Sequence, residues 1–175
     1  MTLPQSAHEL VELLGATDQQ FLTDPTPELA MLRAQLRQRL ANYSVQRGEQ
    51  SYLLSEAVIL LETARMEVED VPLHAMLSSH LADVYLQFYR LTHETKYLIV
   101  VGQILRPLST INDPQIFLGL ARMDAALNKP ALTQHWLTRL MRFASISLAD
   151  WIDAPEFAAF RQEDWFVQMK QQYLH

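Results

Sequence analysis

A spacing constrains this chain more than any single residue does. Three Leu-Ala pairs, Leu40-Ala41, Leu81-Ala82 and Leu120-Ala121, stand 41 and 39 residues apart. Each opens a stretch that closes on an arginine, at Arg65, Arg106 and Arg142. The first two stretches, LANYSVQRGEQSYLLSEAVILLETAR and LADVYLQFYRLTHETKYLIVVGQILR, take 25 residues from Leu to Arg, and the third takes 22. Self-similarity at a period near 40 marks stacked supersecondary units, none of which buries its apolar face alone. Each unit then needs a neighbour, and the two ends of the stack need caps.

The periodicity inside the units is helical. Leu29, Leu32, Leu36, Leu40 and Tyr43 recur at three and four, which puts them on one stripe. Arg33 and Arg37 fall on another face, read as solvated. Leu53, Leu54, Ala57, Leu60, Leu61 and Ala64 repeat the pattern, as do Leu77, Leu81, Val84, Phe88 and Leu91. Helix starts are written in cap chemistry: Ser6 with Glu9 as a capping box, Pro27 after a turn at 23–26, Asp70 with Pro72, and Asp113 with Pro114. Gly15 is a candidate break, Gly48 a candidate C′ residue and Pro107 a stop. These signals predict an N-terminal helix over 6–22, helical pairs over 27–66, 72–106 and 113–144, and short helices over 147–175, all in one domain spanning 1–175. The expected fold class is all-α, an α-solenoid of antiparallel helix pairs. The first helix and a tail rich in Trp and Phe (Trp151, Phe157, Phe160, Trp165, Phe166) serve as its caps.

Composition narrows the function. With no cysteine there is no thiolate metal site, disulfide or thiol nucleophile. A formal charge of −6 argues against nucleic-acid backbones as partners. The longest apolar run, Leu98 to Gly102, is far short of a membrane span, and MTLPQSAHEL lacks the basic and apolar regions of a signal peptide. A cytoplasmic protein without membrane contact is expected.

The residues resemble the tetratricopeptide repeat family, whose units pair two antiparallel helices. The family's first helix carries a Leu-small pair, like the three Leu-Ala pairs here. Its turn often carries Gly, and Gly48, Tyr89 and Asn128 stand at the matching places. Its second helix carries two spaced alanines, matched by Ala57 and Ala64, with Leu98 and Leu105, then Thr133 and Leu140, in the later copies. Family repeats are shorter, 34 residues, than the 41 and 39 of this chain. DWIDAPEFAAFRQEDWF is similar to the closing segment common after such repeats in bacterial proteins.

The resemblance implies a concave groove lined by the first helix of each pair. Carried over, that row includes Gln35, Gln38, Asn42 and Gln46, then Ser79, Asp83 and Gln87, then Gln115 and Arg122. Amides both donate and accept, so the row suits a peptide or an amphipathic helix. Asn42 matches a position that some family members use to clamp a peptide carboxylate. Gln38 and Asp83 stand where the clamp's helper groups would be, and the acid puts that use in doubt.

No P-loop, GxGxxG, HExxH or GxSxG is present. His74 and His80 are six apart, on opposite faces of a helix, and make poor co-ligands. Glu67, Glu69 and Asp70 read as a solvated loop that caps the next helix. The expectation is a non-catalytic protein–protein interaction module or scaffold, with no cofactor and no metal. Two alternatives stand: a homo-oligomeric structural subunit such as a homodimer, and a small-ligand binder or enzyme using a pocket between helices and tail.

Overall fold

A computed structural model describes residues 6–143 and 152–173. Among the described residues the secondary structure is helical, without strands. The helices are α1 (Ala7–Thr23), α2 (Pro27–Tyr43), α3 (Arg47–Glu67), α4 (Val71–Thr92), α5 (Lys96–Leu105), α6 (Pro114–Ala126), α7 (Pro130–Leu140) and α8 (Asp164–Tyr173). Short 3₁₀ helices cover Arg106–Leu108 and Pro155–Phe160. The chain falls into two compact units, Met1–Glu94 and Thr95–His175.

Side chains at the helix starts supply the first-turn hydrogen bonds that the backbone cannot make internally. Ser6, Thr26, Asp70 and Asp113 accept from the backbone N–H of Glu9, Leu29, Leu73 and Gln115. Pro27, Pro72 and Pro114 occupy the first turns that follow, where a missing N–H costs nothing.

In the first unit α2 packs along α1 and α3, and α3 along α4. Leu10, Leu36 and Leu40 form one buried cluster, with Leu13, Leu14, Leu32 and Leu53 against it. In the second unit α6 packs along α5 and α7. Phe117 stacks on Trp136 at 6.1 Å between ring centres, and the Arg139 guanidinium lies 4.1 Å over the Phe117 ring. The Pro155–Phe160 helix also lies on α6, burying Glu156, Phe157 and Phe160.

Several expectations need correction. Gly48 is not a C′ residue. Ser44 ends α2 in extended backbone and accepts from Gln46 N at 3.2 Å, so Gly48 falls in the first turn of α3. Tyr89 is not at a turn: α4 continues past it to His93, which takes the left-handed conformation at φ 59°. Asn128 does adopt that conformation at the α6–α7 turn, at φ 55°. Gly15 does not break α1; α5 does end at Leu105, before Pro107, which sits in the 3₁₀ turn that follows. The stripe of α2 ends short of Tyr43, which is exposed. Arg33 and Arg37 are not solvated. Their side chains are only 13% and 9% exposed, because Asp18 of α1 holds both. The end of the third helical pair at 144, residues 147–151 of the expected cap with Trp151, and the last two residues lie outside the described residues.

Candidate functional site

Seven of the nine expected groove residues lie in the first unit, and they do not form a row of solvent-facing amides. Gln87 of α4 donates to Asn42 Oδ1 at 2.7 Å and to the Gln38 carbonyl at 3.4 Å on α2. Gln35 Nε2 lies 3.0 Å from His80 Nε2 across the same two helices. These bonds tie α2 to α4 at both ends of the row. Asn42 and Gln46 are exposed, while Gln35, Gln38, Asp83 and Gln87 are half-buried. Ser79 is buried, and its hydroxyl has no hydrogen-bond partner among the described residues. Gln115 and Arg122 belong to the second unit. Gln115 is exposed in the first turn of α6, and Arg122 is half-buried against Glu156 at 3.4 Å.

Burial lowers the His80 pKa below its usual 6.5, and the nearby Asp83 carboxylate opposes that shift. The neutral ring can accept the Gln35 amide hydrogen. For Asp18, burial pushes the pKa up, but the hydrogen bonds and charges of Arg37 and Arg33 outweigh it and leave the group below its usual 3.8. Neither cluster has nucleophile–base geometry. Glu67, Glu69 and Asp70 are exposed, and Asp70 is occupied in capping α4. Among the described residues, no three His, Cys, Asp or Glu side chains converge as a metal site. No helix among them is long and apolar enough to cross a membrane.

α3 also carries an apolar line on its outward side. Tyr52, Ile59 and Met66 are 64%, 60% and 83% exposed. At 3.6 residues per turn, positions seven apart fall on one line along the helix. This line runs down the side of α3 opposite Leu54, Ala57, Leu61 and Ala64, which are buried. Glu49, Glu56 and Glu67 follow one shoulder of the line, and Glu62, paired with Arg65 at 3.4 Å, sits on the other. Beside Ile59 a cavity of about 120 Å³ opens, lined by Phe21, Pro25, Pro27, Ala30, Ile59 and Leu60. The heptad spacing could have revealed this line in the sequence. The stronger inward stripe of the same helix hid it.

Comparison with family models, curated proteins and solved structures returns no match.

Proposed function

We propose that this chain is a non-catalytic protein-binding module built from tetratricopeptide-like helical pairs, and that it receives an amphipathic helix from a partner. The repeat reading has support in burial. Leu40, Leu81 and Leu120 are all core residues, and so are Ala41, Ala82 and Ala121. The second-helix positions Ala57, Ala64, Leu98, Leu105, Thr133 and Leu140 are buried as well. The α2–α3 and α6–α7 pairs each pack together.

The observation that carries the binding reading is the exposed line Tyr52–Ile59–Met66, with a cavity beside its middle residue. Aligned apolar side chains on a solvated face favour association, and a helix docks by placing side chains at matching spacing. The glutamates along the shoulders select a partner helix flanked by Lys or Arg. They also disfavour pairing with a second copy, because two such helices would bring glutamate against glutamate. A second face supports the same module. The Gln87–Asn42 bond fixes two amides on the α2–α4 surface; the Gln87 amide keeps its carbonyl as an acceptor and the Asn42 amide keeps its NH2 as a donor for an extended peptide backbone.

Photo-cross-linking in the native cell tests both faces. A photoreactive residue at position 59 is expected to capture a protein through a helix with basic flanks, and Glu56→Lys should weaken that capture. Capture at position 42 instead would move docking to the amide face. Capture at neither position above that at exposed Gln134 would overturn the proposal.

A further inference from the structure

The second unit contains a cavity that the protein-binding reading does not use. It has a volume of about 440 Å³ and lies between the end of α5 and α6. Leu98, Gly102, Met123 and Leu127 form its apolar wall, and Gln103, Arg106 and Lys129 bring polar groups to it. The volume is within the range of small-molecule clefts, about 300–1,000 Å³. Gly102 helps keep the wall open. A Cβ there would stand 3.1 Å from Met123 Sδ and 3.6 Å from Arg106 Nε.

The charges around the cavity do not balance. The Asp124 side chain is 2% exposed, and its Oδ1 lies 3.8 Å from both Arg106 Nη2 and Lys129 Nζ. Its Oδ2 accepts from Trp136 Nε1 at 3.0 Å. One buried carboxylate therefore holds two cations, and neither cation reaches hydrogen-bond distance of it. The two cationic side chains remain 55% and 43% exposed. A guanidinium has five donors and an ammonium three, so most of their donors are directed elsewhere than Asp124. Among the described residues at the cavity, two cations face one carboxylate beside an apolar wall.

We propose that this cavity is a binding site for a small monocarboxylate with an apolar body. The carboxylate sits on Arg106 and Lys129, and the apolar part lies against Leu98, Gly102, Met123 and Leu127. One added negative charge closes the balance of two cations and one carboxylate, whereas a dianion leaves an excess. Asp124 is a positioning residue that draws both cations to the same rim.

Octanoate is a suitable probe, with octanol and octyl phosphate as controls. The full chain is titrated by calorimetry and by tryptophan fluorescence, because Trp136 is bonded to Asp124 and reports on the site. The expected result is saturable one-to-one binding of octanoate, with octanol at least tenfold weaker (on the order of one charge-assisted hydrogen bond) and octyl phosphate weaker than octanoate. Arg106→Gln and Lys129→Gln should each weaken octanoate about tenfold or more, while Arg106→Lys retains most of the binding. Ile99→Trp adds bulk at an exposed position on the cavity lining. It should abolish binding without altering charge or the melting temperature, which separates occlusion from unfolding. Equal binding of octanol and octanoate, no saturable binding, or undiminished binding in Ile99→Trp would each overturn the proposal. None of these results bears on the α3 line.

Discussion

Asp18 is the residue on which two arginines depend. Its carboxylate meets Arg33 Nε at 2.6 Å and Arg37 Nη2 at 2.8 Å, and Arg37 is itself buried. Asp18→Asn would keep the shape and remove the charge, leaving Arg37 poorly compensated. Because Asp18 is about a third exposed, solvent screens the pair, and we expect a loss of about 1 kcal/mol in urea unfolding. The folded pKa is depressed, so this stability is fully present above the usual carboxylate value of 3.8. It is lost as pH falls through the folded value, and the gap between wild type and Asp18→Asn should close there. His80 gives a second test. Its folded pKa is also depressed, mainly by burial. Below pH 6.5 the unfolded state takes the proton first, so stability falls with pH until the folded group titrates too. His80→Gln should flatten that slope between neutral and mildly acidic pH. Gln35→Ala removes the partner of the His80 ring and should cost about 1 kcal/mol, whereas a solvent-facing Gln35 would make it neutral. Neither cluster could be read from the chain. Arg33 and Asp18 are 15 residues apart and Gln35 and His80 45 apart, and a polar residue on a helical stripe carries no mark of a partner on another helix.

At the scale of the helix, local signals were readable wherever a side chain acts on its own backbone. Ser6, Asp70 and Asp113 cap within three residues, so their helices start where the sequence places them. The ends were harder. Gly48 looks like a terminator, but Ser44 with Gln46 closes α2 first. Glycine also acts oppositely in two helices. At Gly119 on α6 a Cβ would stand 2.5 Å from Leu105 Cδ1, and Leu105 is fully buried. The missing side chain lets α5 and α6 approach, and Gly119→Ala should lose stability by about 1–3 kcal/mol through overpacking. Gly15 on α1 has nothing within 4 Å of such a Cβ. Gly15→Ala should therefore gain roughly 0.5–1 kcal/mol from helix propensity. Urea midpoints of the two variants should move in opposite directions; a shared direction would mean that the α5–α6 contact is misjudged.

At the scale of the whole molecule, the all-helical class seen among the described residues follows from the period-3.6 stripes. The candidate sites were less legible. The amide row was implied by the family resemblance, and its internal bonding depends on which helices adjoin. The cavity on α5 and α6 depends on Gly102, Arg106, Met123 and Lys129, which share no motif. The C-terminal aromatic segment can be tested as a cover for α6. Phe157 and Phe166 are fully buried, and their ring centres are 6.0 Å apart. Phe160 and Met169 are buried with them, and Arg122 of α6 is tied to Glu156. A chain stopped at Arg142 would lose these aromatic side chains, each worth about 1.5–3 kcal/mol when buried, and would remove the Glu156 carboxylate that meets the half-buried Arg122. A domain typically has only about 5–15 kcal/mol of net stability, so α6 should open. Amide hydrogen exchange reads this directly. Protection across Pro114–Ala126 should fall by orders of magnitude in the truncated chain. Restoring residues 152–173 with Phe157→Ala should recover only part of it, because a cavity of that size costs about 3–5 kcal/mol. Unchanged protection in α6 after truncation would mean that this unit closes its core without the aromatic segment, and that the segment is not a cap.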